Sequence, residues 1–476
     1  MSEKHADMRY ARRYSILAAV MLGSTMGPID ASIVNTVLPA ISRSFGAGIS
    51  TAQWVPMVYL LVISSLLLFY GRLGDILGYR RIYLAGLAGF ILGSALCGFS
   101  PGIHWLIAFR AVQGLSAGMI MAVSYAIITA SFPPEERGKA LGINAISVSA
   151  GLAIGPSLGG FIASLCGWRF VFFINIPIGV AGLLWARKVV PDLRGQPGRI
   201  DMPGMITAFI FLFFILLFVN RFQSMGFSYI TDVMLIVSVL SFIVFIVIEN
   251  RIAQPMLDLG LFRNPTFSFA NVSALLNFMS QYVMVFLTPF YLQMVLHYAP
   301  DDLGLIMTSF PLAVMVVAPF SGSLSDRIGT RALACLGAGT CAVSLFLMGR
   351  LPVSAGPADV VWRLALFGLG TGIFQSPNNS AVMGSAPRAR LGTASGILGT
   401  MRSVGMFLGI AVGGAVLYAF TPADILQKTV LEGPDAAVFL SGLKYSYTAG
   451  ALLTGIAAVT SSAKKTLTAS VFPDNK

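Results

Sequence analysis

Residues 131–160 read SFPPEERGKALGINAISVSAGLAIGPSLGG, and residues 385–414 read SAPRARLGTASGILGTMRSVGMFLGIAVGG. At this offset of 254, Ser131, Pro133, Gly138, Ala140, Gly142, Ile143, Ser149, Gly151, Gly155, Gly159 and Gly160 all meet identical residues. A second pair supports the first. GRLGDILGYRR (Gly71 to Arg81) and GSLSDRIGTR (Gly322 to Arg331) both read G-x-L-x-D-x-x-G, 251 residues apart. Two offsets this close to each other describe one unit present twice and in parallel.

Composition says what the unit is made of. The 476 residues are 56% hydrophobic and only 11% charged, where a soluble protein carries about 25% charged residues. A helix needs about 20 apolar residues to cross hydrocarbon. Fourteen such runs are present: 14–41, 52–70, 81–100, 104–131, 139–165, 168–189, 203–222, 230–249, 267–297, 303–325, 331–350, 358–383, 392–420 and 441–461. The first is too long for a signal peptide and carries Asp30, so it reads as a membrane helix behind Arg9, Arg12 and Arg13. The runs at 203–222 and 230–249 have no match in the repeat and look inserted. The expected fold is therefore an all-α polytopic membrane protein with two six-helix halves and two extra central helices. Its divisions are 1–189, the N-terminal half; 190–266, cytoplasmic linkers with the extra pair; 267–461, the C-terminal half; and 462–476, a cytoplasmic tail.

Charge fixes the expected orientation. With both ends cytoplasmic, 22 Lys and Arg fall on that side and 7 on the other, with Arg110 and Arg402 inside runs. That asymmetry is the positive-inside pattern, and it makes 421–440 the largest external loop. The net charge of +12 sits in short gaps between apolar runs, not on a soluble basic patch, so nucleic acid is not an expected partner. Cys97, Cys166, Cys335 and Cys341 lie in apolar runs without disulfide or metal-ligand spacing and read as core residues. His5, His104 and His297 sit at ends or loops. No phosphate loop, metal cluster or nucleophile–base pair is present, so no enzyme activity and no cofactor are expected.

Five stretches carry a family resemblance across nearly the whole chain. They are PIDASIVNTVLPAI (Pro28 to Ile41), Gly71 to Arg81, RAVQGLSAG (Arg110 to Gly118), GLAIGPSLGG (Gly151 to Gly160) and WRFVFFINIPIG (Trp168 to Gly179). In this order they resemble the major facilitator superfamily, and within it the fourteen-span drug:proton antiporter branch. The resemblance implies alternating access between two halves, with substrate bound near the membrane midplane. It also implies a proton gradient as the driving force, and a monomer in the plasma or inner membrane. Gly71, Gly74, Asp75, Gly78, Arg80, Arg81, Asp326 and Arg327 are the implied conformational motif, with Ile76 and Tyr79 at two commonly basic positions. Gly151, Gly155, Pro156, Gly159 and Gly160 are the implied antiporter motif.

The residues themselves suggest roles. Asp30 inside a span costs a few kcal/mol unless paired, hydrated or protonated; it reads as a proton carrier or as a structural ion pair. Arg110 lies about 9 Å and Asp30 roughly 16 Å from the outer helix ends, a gap an Arg side chain can bridge. The alternative for Arg110 is snorkelling to the interface. Gly151, Gly155 and Gly159 form a small-residue face that lets two helices approach closely. Asp75 and Asp326 sit in loops between helices, where they pair with a cation or a helix N-terminus or stay solvated. Candidate cavity residues are Asn35, Gln53, Trp54, Tyr59, Gln113, Asn144, Gln281, Tyr291, Gln375, Asn378 and Arg402, suited to amphipathic, hydrophobic or cationic molecules. The expected function is proton-coupled drug export. The alternatives are a dedicated exporter of one endogenous metabolite, an importer, which the Gly151 to Gly160 stretch disfavours, and a transporter-like receptor.

Overall fold

The computed structural model describes residues 13–132, 137–191, 202–225, 228–252, 259–386, 391–428 and 430–463. The long helices are, in chain order, α1 (Arg13–Phe45), α2 (Trp54–Leu77), α3 (Tyr79–Gly98), α4 (Ile103–Ser131), α5 (Arg137–Cys166), α6 (Asn175–Val189), α7 (Met202–Met225), α8 (Tyr229–Arg251), α9 (Pro265–Phe290), α10 (Pro300–Ile328), α11 (Thr330–Met348), α12 (Pro357–Gly384), α13 (Leu391–Phe420) and α14 (Gly433–Ser462). Each apolar run falls on one of them, except that 168–189 is shared between a short helix, Phe170–Phe173, and α6. Among the described residues, eleven stretches are long and apolar enough to cross a membrane, and the chain is a multi-pass α-helical membrane protein. The runs on α12 and α14 are diluted by small and polar residues; on α5 the apolar stretch among the described residues is Ile154–Cys166.

Several expectations about ends change. Asp75 and Asp326 do not sit in loops. Each lies on a helix, α2 or α10, because the helix runs on until a glycine with positive φ stops it. Those glycines are Gly78 at 93° and Gly329 at 88°, a backbone region that a Cβ makes costly. The repeat thus preserves a turn as well as a sequence. The side chains of Asp75, Asp326 and Arg327 lie outside the described residues, as do the linker at 192–201 and the tail from 464 onward. The stretch 421–440 is not a plain loop: it holds a short helix, Ala423–Gln427, and the start of α14 at Gly433. Cys97 and Cys341 are buried, but Cys335 is only partly so and Cys166 is exposed at the end of α5. An apolar run does not say which face a cysteine is on.

The chain forms two compact units. One comprises Met1–Met256, Thr288–Thr308 and Pro422–Asp435; the other comprises Leu257–Leu287, Ser309–Thr421 and Ala436–Lys476. In the first unit, the glycine face of α5 lies on α1. A methyl at Gly151 would meet Ile29 at 2.9 Å, at Gly155 Ser32 at 2.6 Å, and at Gly159 Ile33 at 2.9 Å. In the second unit, α13 lies on α9 in the same way. A methyl at Gly405 would meet the Leu275 carbonyl at 2.7 Å, and one at Gly409 would overlap the Met279 carbonyl. Such contacts bring backbones together and gain dispersion energy where lipid offers no hydrophobic drive. Within the first unit α7 also packs against α2 and α8. The Ser238 hydroxyl donates to the Phe211 carbonyl at 3.3 Å. On α8, Ile236, Leu240 and Ile243 are exposed, as suits a lipid-facing surface.

Candidate functional site

The first unit contains a closed polar cluster built around Asp30, midway along α1. Arg110 and Gln113 come from one face of α4, three residues apart, and Asn175 comes from the first turn of α6. The guanidinium of Arg110 donates to Asp30 in an ion pair whose two side chains are fully buried. The Gln113 amide donates to Asp30 Oδ1 at 3.0 Å, and the Asn175 amide donates to the same oxygen at 2.9 Å. Arg110 also donates to Gln113 Oε1 at 2.6 Å and to the Val55 carbonyl at 3.3 Å. Gln113 in turn donates to Ser94 Oγ at 2.8 Å, and the Cys97 thiol approaches Gln113 Oε1 at 3.7 Å. The Tyr59 ring lies 4.1 Å from the Arg110 guanidinium carbon.

The electrostatics follow from burial. An isolated charge here would be prohibitively desolvated, so both ions persist only because each completes the other. Asp30 receives donors and nothing else. A carboxylate fits that shell, whereas a neutral carboxyl brings an O–H that needs an acceptor of its own. One proton on Asp30 therefore removes Arg110's counter-ion and misplaces the donors of α4 and α6 together.

The cavity candidates are spread over both units. Tyr59 and Gln113 join the Asp30 cluster. Asn144 accepts from the Ser24 hydroxyl at 2.7 Å. Asn35 and Gln53 are buried, and Trp54 lies under Arg221, 5.9 Å from its guanidinium carbon. Tyr291 is buried in a short π-helical turn, Tyr291–Val295. In the second unit, the Gln375 amide reaches Gln281 Oε1 at 3.5 Å. Asn378 donates to the Ala270 carbonyl at 3.1 Å, which makes it a helix-packing residue. Arg402 lies over the Phe278 ring at 5.2 Å.

Other motif residues also acquire partners within the first unit. Arg80 donates to the Arg187 carbonyl at 2.6 Å, at the end of α6. A methyl at Gly74 would meet Val123 at 2.8 Å and Tyr79 at 2.9 Å, whereas one at Gly71 would meet nothing within 4 Å. A methyl at Gly160 would overlap the Pro300 carbonyl, and one at Gly304 the Pro156 carbonyl; Ser157 and Thr308 share a hydrogen bond. Beyond them Arg43 donates to Gln293 at 2.7 Å, and the Leu431 amide donates to the Met294 carbonyl at 2.8 Å. A pocket lined by Pro39, Arg43, Phe290 and Lys428 lies about 20 Å along α1 from Asp30, thirteen residues away; it is separate from the acid cluster. The residues that sequence reasoning missed are Asn175 and Ser94. Asn175 was visible as a lone amide in an apolar run, but nothing local tied it to Asp30.

The family model for the Major Facilitator Superfamily matches residues 20–410. The riboflavin transporter RibZ of Clostridioides difficile is 33% identical over 84% of this chain and 87% of its own length. The multidrug resistance protein Stp of Mycobacterium tuberculosis is 35% identical over 88% of this chain and 78% of its own. Among solved structures, a POT family transporter in complex with 5-aminolevulinic acid aligns with a TM-score of 0.69 at 15% identity, covering 94% of this chain and 96% of that one.

Proposed function

This chain belongs to the Major Facilitator Superfamily and is a transporter, not an enzyme; we propose that it is a fourteen-span, proton-coupled exporter of amphipathic small molecules. The observation that carries the proposal is the buried carboxylate of Asp30, held by Arg110, Gln113 and Asn175. In this scheme a proton entering from outside neutralises Asp30, Arg110 loses its anion, and α1, α4 and α6 repack. Release of that proton to the cytoplasm restores the pair and completes the exchange for a substrate molecule. The close contacts of Pro156 and Gly160 with Pro300 and Gly304 act as the seal against leak on the outer side. The turns at Gly78 and Gly329 are the pivots of the conformational motif.

The test is substrate-induced proton release from purified protein. Asp30→Asn abolishes it in this scheme. Because that change strands Arg110, the Asp30→Asn/Arg110→Gln double variant supplies folded protein for the same assay. Normal proton release from either folded variant would sink the scheme. A second reading, a dedicated exporter of one metabolite, is favoured by the likeness to a riboflavin transporter. A survival screen of an efflux-deficient host across toxic compounds and metabolites separates the two, since a dedicated exporter protects against one chemical class only.

The topology belongs to the same proposal. It has an N-terminal half at 1–189, an inserted pair within 190–266 that stays outside the transport path, a C-terminal half at 267–461 and both termini cytoplasmic. Cysteines introduced at Ser2 and Glu432 should differ in labelling by an impermeant reagent in intact cells, with only Glu432 reacting. Labelling at Ser2 alone would overturn it.

A further inference from the structure

We propose that Arg402 is a substrate-recognition residue, and that the compounds this protein carries include amphipathic monoanions bearing a carboxylate. The proposal deepens the export reading by naming a substrate class, and the binding it predicts does not depend on proton coupling.

The starting point is a cation without an anion. Arg402 sits inside α13, about 16 Å from its start, eleven residues at the helical rise. Three residues on, Gly405 presses against α9, so Arg402 faces protein and not lipid. Among the described residues it makes no hydrogen bond and no ion pair; its contact is the Phe278 ring. The helices of its own unit offer no acid at that depth. Asp359 lies in the first turn of α12 and pairs with Arg363 at 3.5 Å. Asp326 lies two residues from the end of α10. An ionisable group inside the membrane marks a substrate or ion path by default, and here its natural complement is missing from the unit.

The surroundings narrow the chemistry. Phe278, Gln281 and Tyr282 share one face of α9, three and four residues apart. The charge of Arg402 lies close enough to act on Tyr282. Arg402 is only partly buried, unlike Arg110. The face presents a planar five-donor cation, a phenol and an amide against an aromatic ring. That set matches a carboxylate held by two parallel hydrogen bonds, with an apolar body on the ring. It does not match a phosphate, because one guanidinium would leave a doubly charged guest half neutralised.

The test uses purified protein in nanodiscs and three probes with one fluorophore: dansylglycine, its neutral amide and dansylcadaverine. Equilibrium titration should show dansylglycine bound about tenfold or more tighter than the amide, the gain of a charge-assisted contact. Arg402→Gln should bring the two within about threefold of each other through loss of dansylglycine alone. Arg402→Lys keeps the charge and loses the fork, so part of the preference should survive. It also keeps the test decisive if the glutamine variant fails to fold. The proposal is overturned if the wild-type protein shows no preference for the carboxylate, or if either folded variant changes all three affinities equally. Proton release induced by dansylcadaverine is read on the same wild-type sample. Its absence beside an intact carboxylate preference strikes the coupling scheme alone, and its presence beside a missing preference strikes this proposal alone.

Discussion

Arg110 and Arg402 both lie within apolar runs, one in each unit, and their surroundings are opposite. Arg110 is sealed: no part of its side chain reaches solvent, and it holds Asp30, Gln113 and the Val55 carbonyl. Arg402 is partly open and has a ring for company. The helices that carry the surrounding structure are nonetheless alike, since α5 lies on α1 and α13 lies on α9 through the same glycine spacing. A duplicated scaffold has therefore kept its packing and divided its chemistry. One copy holds a buried ion pair, and the other holds an arginine on a ring with no ion pair among the described residues.

The largest effect that can break this comparison is on stability. Asp30→Asn removes the anion and leaves Arg110 buried without one, at a cost of about 3–5 kcal/mol. The Asp30→Asn/Arg110→Gln double variant should recover most of that. Denaturant or thermal unfolding in detergent reads both, and a single variant as stable as the wild type would mean that the pair holds nothing. Next comes Asn175→Ala, which deletes one donor to the carboxylate and should cost about 1.5–3 kcal/mol by the same assay. An effect below the assay's error would remove α6 from the cluster.

The scaffold half of the comparison is sharpened by glycine. Gly155→Ala and Gly409→Ala both force a methyl into a close neighbour, so both should lose about 1–3 kcal/mol. Gly455→Ala on α14, with nothing within 4 Å of the added methyl, should be neutral or gain up to about 1 kcal/mol of helix propensity. Unequal losses at Gly155 and Gly409 would show that the two copies no longer pack alike. The smallest effect is Arg402→Gln, which strands no partner and gives up only a ring contact worth about 0.5–1 kcal/mol. A loss as large as that of Asp30→Asn would reveal a hidden anion and dissolve the contrast.

What the sequence determined by itself was everything that accumulates along the chain. Hydropathy over about 20 residues located the helices, and a fixed offset exposed the duplication. The spacing of Gly151, Gly155 and Gly159 marked a packing face before any partner for it was known. The pairing of Asp30 with Arg110 was legible as a difference in depth that an Arg side chain can bridge. Partnership and exposure were decided only in three dimensions. Asn175 reaches Asp30 from 145 positions away, Asn378 spends its amide on a neighbouring carbonyl, Cys166 turns outward, and Asp75 and Asp326 lie on helices where loops were expected. Each depends on the rotation of a helix about its axis and on which helix lies beside it. A run of apolar residues carries neither quantity, because lipid and protein interior accept the same side chains. Arg402 is the sharpest case: its position was plain in the sequence, but that it pairs with no carboxylate among the described residues is a property of the packed unit.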